Sequence, residues 1–412
     1  MDPTPAGGST PAIERITTRA SARLGEHAPC ATPLRNPAQV LGCRVPTFAD
    51  LALLPSLHAT LAEQELKTLT EIQQRALPAL LAGRSVVGVA ETGSGKTLAY
   101  ALPILHTLKT LENEGSKVDA AGRPRAVVVV PTRDLGEQVS KVFKPFTHTT
   151  RLRVRTVLGG TDIAVAKKNV AGPFEVLVAT PGRLVKLLDR RLVDFSDVRT
   201  LVFDEADQML DQGFLPDAGQ IVRACPRERQ LALFSATVSP MVEQLIAKLF
   251  KDAELIRSTG SHKVVATLTT VNRDVVNGQR EPLLKKVLAE KVAGGTIIFA
   301  NTREQCDALA AIIAEMGRSY TVYRGEMDKV ERRQNLKAFR DGKVELLIST
   351  DLASRGLDVE HVGRVINYHL PKEMENYLHR VGRTARAGRK GVVINFVTER
   401  DRALIEQASR AR

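Results

Sequence analysis

Short apolar runs rich in β-branched residues alternate along this chain with amphipathic stretches of helical spacing. That alternation predicts an α/β fold, with mostly parallel sheets covered on both faces by helices. Two further observations sharpen the prediction. The pattern weakens between Leu255 and Thr270, where Ser258, Thr259, Gly260 and Ser261 cluster, and then restarts, which divides it into two tandem units. A chain of 412 residues exceeds one ordinary domain, and 43% hydrophobic content is enough for two cores.

Residues 1–45 are rich in Pro, Ala, Thr, Gly and Arg without sustained periodicity and are expected to form a disordered extension. An organellar transit peptide is the sharper alternative, against which Asp2, Glu14 and Glu26 count. The first unit is expected over about Pro46–Arg257, the linker over 258–263 and the second unit over 264–412. The first unit opens with helical patterns at Leu51–Glu63 and Thr70–Leu81, the second with Thr70 as its N-cap.

Strand-like runs follow at Val86–Ala90, Ala126–Val130, Val154–Leu158, Val176–Ala179, Leu201–Phe203 and Leu231–Phe234. Helical stretches at Leu98–Leu108, Asp134–Phe146, Arg183–Asp189 and Pro240–Phe250 lie between most of them. The second unit repeats the scheme. Its strands are expected at Thr296–Ala300, Thr321–Tyr323, Leu346–Ser349, Val365–Tyr368 and Gly391–Val397, and its helices at Arg303–Met316, Lys329–Arg340 and Glu373–Arg380.

Between the first strand and its helix lies Glu91-Thr92-Gly93-Ser94-Gly95-Lys96-Thr97. A glycine-rich turn that feeds a helix N-terminus points several backbone N–H groups at one place and so suits phosphate. Lys96 adds a point charge for the terminal phosphates, and the Thr97 hydroxyl suits Mg²⁺. Ala90 stands where the usual phosphate-loop pattern opens with glycine. The plain alternative is a glycine-rich turn with a surface lysine.

Leu201-Val202-Phe203 runs into Asp204-Glu205-Ala206-Asp207, placing carboxylates at the C-terminal end of a buried strand, where open α/β sheets bind ligands. Asp204 suits Mg²⁺ coordination and Glu205 suits positioning and activating a water. The plain alternative is an acidic helix start that stabilises the helix dipole.

Composition narrows the partners. A net charge of +13 and a pI near 9.7 favour a polyanion. No tryptophan and only 4% aromatics disfavour rows of stacked bases, so a bound strand is expected to be gripped by its backbone. Cys30, Cys43, Cys225 and Cys306 form no C-x-x-C pair, which disfavours a zinc site and fits a reducing compartment. With no apolar run of membrane-spanning length and no secretory layout, the expectation is a soluble, cytoplasmic monomer.

From Phe48 onward these motifs resemble the DEAD-box family of ATP-dependent RNA helicases. Pro131-Thr132-Arg133-Asp134-Leu135, Gly159-Gly160, Thr180-Pro181-Gly182-Arg183, Ser235-Ala236-Thr237, Thr350-Asp351, Arg355-Gly356-Leu357-Asp358 and His379-Arg380-Val381-Gly382-Arg383-Thr384-Ala385-Arg386 fall in the family's order.

The resemblance implies two RecA-like domains with ATP and Mg²⁺ in the cleft between them. It implies adenine contacts by Phe48 and Gln73, and nucleotide contacts by Thr92, Gly93, Ser94, Gly95, Lys96, Thr97 and Asp358. Metal binding falls to Thr97 and Asp204, and catalysis to Lys96, Asp204, Glu205, Arg383 and Arg386. Coupling of hydrolysis to strand separation falls to Asp207, Ser235, Thr237 and His379. RNA backbone contacts fall to Thr132, Arg133, Gly160, Thr180, Arg183, Arg332 and Thr350. An ATP-gated RNA clamp with little unwinding is the alternative activity, and DNA unwinding is a third.

The chain departs from the family pattern at several places. Glu65, Leu66 and Leu69 stand for glycine, an aromatic and proline, so looser nucleotide selectivity is expected. Glu91, Asp134, Lys329, His369 and Ala385 stand for glutamine, glutamate, glutamine, aspartate and glycine. None removes a phosphate, metal or water-activating group.

Overall fold

A computed structural model describes residues 46–91, 93–258, 268–325, 327–351, 359, 361–385 and 389–410. The expected N-terminal extension, all of the linker except Ser258, and Thr92, Asp358 and Arg386 lie outside the described residues. Two sheets organise the rest, and every strand pair in both is parallel.

In the first lobe the strands are β1 (Val86–Val89), β2 (Ala126–Val129), β3 (Val154–Val157), β4 (Val176–Ala179), β5 (Thr200–Phe203), β6 (Gln230–Ser235) and β7 (Glu254–Arg257), in spatial order β3-β4-β2-β5-β6-β1-β7. The second lobe holds β8 (Leu268–Asp274), β9 (Gly295–Phe299), β10 (Tyr320–Tyr323), β11 (Leu346–Ser349), β12 (Val362–Asn367) and β13 (Gly391–Val397), in order β10-β11-β9-β12-β13-β8.

Alternation along each strand builds two cores per sheet, because successive side chains leave opposite faces. In the first lobe Val86, Val128, Val178, Val202 and Phe234 pack with Leu77, Leu102 and Phe143 on one face. Val87, Val129, Leu177, Leu201 and Leu233 pack with Leu184, Met209, Ile221 and Leu245 on the other. The second lobe repeats this, with Ile297, Leu347 and Val365 against Phe339 and Tyr377, and Ile298, Ile348 and Ile366 against Val287, Leu309 and Ile313. Covered on both faces, the inner strands must be apolar throughout, which is why the sequence marks them so clearly.

Two strands fall where the sequence pattern is weakest. β7 and β8 flank the stretch expected as a linker, and each lies at the edge of its sheet. Only Ile256 of β7 is buried, and no residue of β8 is fully buried, so neither carries an apolar run. Helices at Ile163–Asn169, Leu215–Ala224, Glu281–Ala289 and Arg402–Arg410 add to those expected. The Thr70 cap is present as a reciprocal box with Gln73. Among the described residues no helix is long and apolar enough to cross a membrane.

Candidate active site and interlobe cleft

The cradle forms where β1 gives way to the helix Lys96–Asn113. Gly95 is its N-cap at φ +90°, and a Cβ there would stand 2.4 Å from the Gln73 amide nitrogen, so glycine is required both by conformation and by close approach. Gln73 donates from Nε2 to the Gly95 carbonyl (3.0 Å) and accepts at Oε1 from the Thr70 N–H (2.9 Å). In this arrangement Gln73 braces the phosphate loop. One amide hydrogen and one lone pair remain, the pair of functions an adenine edge needs. Phe48 is only 3% exposed and packs in the first core, so it walls this corner and presents little open face to a base.

Lys96 is buried, and its ammonium donates to the Ala90 carbonyl (2.8 Å), folded onto the loop whose phosphate it would hold. Opposite, Asp204 leaves the end of β5. Its Oδ1 accepts from the Glu205 N–H (3.0 Å) and its Oδ2 from the Tyr100 hydroxyl (2.8 Å). Tyr100 also engages Thr97, so one buried phenol ties both proposed metal-holding residues together. Sequence reasoning missed Tyr100 because it reads as one more apolar position of its helix.

Glu205 occupies the left-handed region at φ 49°, a conformation costly for any residue but glycine and common at functional sites. Its Oε2 is buried without a hydrogen-bond partner. Burial pushes this carboxyl up to about 7, against the pull of Lys96 and with Asp204 and Asp207 adding to the rise, while Arg383 of the second lobe lowers it.

Asp207 is held below the ordinary carboxylate range. Burial alone would raise it, but His379 of the second lobe, Lys96 and donated hydrogen bonds outweigh that. Its Oδ2 accepts from the N–H groups of Ala236 (3.0 Å) and Thr237 (2.9 Å) and from the Thr237 hydroxyl (3.1 Å). Its own N–H donates to Ser235 Oγ (3.2 Å), so β5 and β6 are laced together at this end.

Motif matches bring the chain to a family. A model of the DEAD/DEAH box helicase family matches residues 70–246, and one of the helicase conserved C-terminal domain matches 279–388. The chain belongs to the DEAD/DEAH box helicase family. It is 36% identical over 367 residues to the ATP-dependent RNA helicase DeaD of Mycobacterium tuberculosis, over 89% of this chain and 63% of DeaD. The chain thus spans less than two thirds of that relative's length. Against the ATP-dependent RNA helicase RhlB of Actinobacillus succinogenes it is 35% identical over 85% of each chain. Its fold matches that of S. cerevisiae Dbp5 bound to RNA and ADP BeF3, with a TM-score of 0.79 at 29% identity, covering 89% of this chain and 93% of that one.

The DEAD-box second lobe presents Arg383, buried, with its Nε donating to the His379 carbonyl (3.1 Å). One helical turn earlier, Arg380 is fully buried. It grips Asp351 with two nitrogens, donates to Asn301 Oδ1 (2.7 Å), Asn367 Oδ1 (3.1 Å) and the His369 carbonyl, and lies over the Phe299 ring (5.0 Å). Such a fully satisfied buried cation fixes the loop that carries Arg383. Sequence reasoning placed Arg380 in a motif but gave it no task.

The RNA-contact candidates of the first lobe also converge. Arg133, Thr180 and Arg183 line one depression of about 290 Å³ with Pro131, Gly159 and Phe214. Thr132 caps the helix Arg133–Thr150 beside it, and Gly160 follows at φ +78°. Arg332 lines a separate cleft of about 730 Å³ between the lobes, together with Arg133, and Thr350 leaves the end of β11.

Proposed function

We propose that this chain is an ATP-dependent RNA helicase, coupling RNA-stimulated ATP hydrolysis to backbone binding of single-stranded RNA and local separation of short duplexes. The observation that carries the reading is Glu205, a buried carboxyl whose Oε2 has no hydrogen-bond partner and which feels Lys96 of its own lobe and Arg383 of the other. A general base works best when its pKa lies near the operating pH.

In this reading Lys96 exchanges the Ala90 carbonyl for the β- and γ-phosphates of ATP, and the N–H groups of the Gly93–Thr97 turn cradle them. Gln73 and Phe48 bound the adenine end. A carboxylate, a hydroxyl, phosphate and water form the hard oxygen set that Mg²⁺ takes, so Asp204 and Thr97 fit it. When bound, Mg²⁺ neutralises charge on the phosphate oxygens.

Glu205 takes the proton of the attacking water. Arg383, with Arg386 after it, stabilises the negative charge that spreads over the γ-phosphate oxygens. Asp207 links that event to Ser235 and Thr237 and, through His379, to the second lobe. RNA lies along Thr132, Arg133, Gly160, Thr180, Arg183, Arg332 and Thr350, held by phosphate contacts that position without reading bases. The protein acts as a cytoplasmic monomer.

The test is steady-state ATP hydrolysis with RNA and with DNA of identical sequence, because 2′-hydroxyl contacts tell the two apart. Stimulation by RNA alone is expected, and equal stimulation by DNA overturns the assignment. Strand separation in a gel with ATP, absent with a non-hydrolysable analogue, is expected of a helicase; its failure points to an ATP-gated clamp.

A further inference from the structure

Among the described residues, a hydrogen bond joins the lobes directly at the mouth of the 730 Å³ cleft. Tyr323, the last residue of β10, donates from its hydroxyl to Asp134 Oδ2 (2.8 Å) at the start of the helix Arg133–Thr150. Tyr323 is 2% exposed and packs in one core of the second lobe with Leu336 and Phe339, so its ring is fixed by its own lobe while its hydroxyl reaches the other. Ser349 donates to the Tyr323 carbonyl (2.9 Å), which holds the backbone beneath it. Burial, followed by the charge and hydrogen bond of Asp134, raises the phenol well above its ordinary value and keeps it a donor.

Arg332 stands over the Tyr323 ring (5.6 Å) with a nitrogen 3.8 Å from the same Asp134 oxygen. That separation is an ion pair and not a hydrogen bond. A phosphate could therefore draw Arg332 away and leave the Tyr323–Asp134 bond intact.

We propose that Tyr323 and Asp134 clasp the two lobes together and so position Arg383 beside Glu205 before RNA arrives. Tyr323 is a positioning residue, not a catalytic one, and the consequence for turnover rests on the helicase reading above. A hydrogen bond to a charged acceptor, made only when the lobes are closed, favours the closed form by about tenfold. RNA that binds both lobes biases the same equilibrium, so the clasp and RNA substitute for one another.

The experiment compares the full chain with Tyr323→Phe and Asp134→Ala. Small-angle X-ray scattering without RNA or nucleotide is expected to show a larger radius of gyration for both variants. RNA-free ATP hydrolysis is expected to fall about tenfold, and the RNA concentration for half-maximal stimulation to rise by the same factor, while RNA-saturated turnover is kept.

The double variant is expected to be no worse than either single one, because both remove the same bond. Unchanged scattering for Tyr323→Phe, or independent additive effects of the two substitutions, overturns the clasp. A variant that has merely lost folding stability shows a lowered Tm and lowered RNA-saturated turnover together, and that result also overturns it. If the wild-type chain hydrolyses no ATP, the helicase reading fails, and the scattering still reports on the clasp.

Discussion

Matching the two strand orders places β8 of the second lobe where β1 stands in the first, and β12 where β5 stands. Both β1 and β8 run through a left-handed turn into a helix. After β1 the turn uses Gly93 and Gly95, at φ +85° and +90°; after β8 it uses Asn277 and Gly278, at φ 51° and 72°. The chemistry then diverges.

The first helix opens on Lys96-Thr97 with no side chain capping its N–H groups. The second opens on Glu281-Pro282, which sets a negative charge at the dipole's positive end and deletes one donor. Asp204 and Glu205 follow β5, whereas Tyr368 and His369 follow β12. Arg280 is spent on the Tyr368 carbonyl (3.0 Å). Burial, with Arg280 and Arg380, lowers His369 to about 4, which leaves it uncharged at neutral pH.

A cleft of about 580 Å³ survives at this place, lined by Gly278, Gln279, Arg280, Gln305, Tyr368 and His369. The comparison teaches that topology supplies the crevice. What sets the first lobe's crevice apart is a helix start with no side-chain cap, a buried lysine held only by a loop carbonyl and a pair of buried carboxylates.

The strongest way to break this comparison is to ask what the second lobe adds to the first lobe's site. Arg383→Ala should leave nucleotide affinity nearly unchanged and lower RNA-saturated turnover by about a hundredfold or more, since an arginine delivered to the γ-phosphate carries at least that much rate. Retained turnover with lost RNA affinity would reduce Arg383 to part of a basic stripe.

The carboxylates come next. Glu205 is raised from its ordinary 4.5 to about 7, so the folded state prefers its protonated form. The stability this contributes is fully present below about pH 4.5 and is lost as pH rises through about 7. Glu205→Gln is neutral throughout. It should therefore gain stability over the wild type on going from pH 5 to pH 8, by up to about 3 kcal/mol, as turnover falls. Thermal melts of both proteins at the two pH values check this, and a constant difference in Tm would remove Glu205 from its buried, charge-strained role.

The cradle itself gives a smaller figure. Lys96→Ala should weaken ATP binding at least about tenfold, near 1.4 kcal/mol, while Arg280→Ala at the matching place in the second lobe changes nothing. Titration with a fluorescent nucleotide separates the two. Equal losses would mean the second crevice also holds phosphate.

The smallest effect concerns backbone strain shared by both lobes. Glu65 in the first and Ala385 in the second stand where the family has glycine, and both sit in the left-handed region, at φ 56° and 57°. Glu65→Gly, on an exposed residue, should raise stability by about 1 kcal/mol in chemical denaturation. Ala385→Gly should gain less, because its methyl group is buried.

The sequence by itself determined every inner strand, the glycine turn into Lys96-Thr97 and the placing of Asp204–Asp207 after β5. Strands buried on both faces must be apolar throughout, and a glycine turn running into Lys-Thr is a local signal. It also marked Glu65 and Ala385 as unusual, though their left-handed backbone became visible only in the folded chain. Strands β7 and β8 escaped because β7 buries only Ile256 and β8 buries no residue fully, which leaves no apolar run.

Only the tertiary structure decided which distant groups share a bond. Tyr100 meets Asp204 across 104 positions, Arg380 meets Asn301 across 79, and Tyr323 meets Asp134 across 189 and across the lobes. Each of these side chains looks ordinary beside its neighbours in sequence. A contact made through the fold, with an orientation set by packing on two separate elements, leaves no periodicity and no spacing for local inspection to detect.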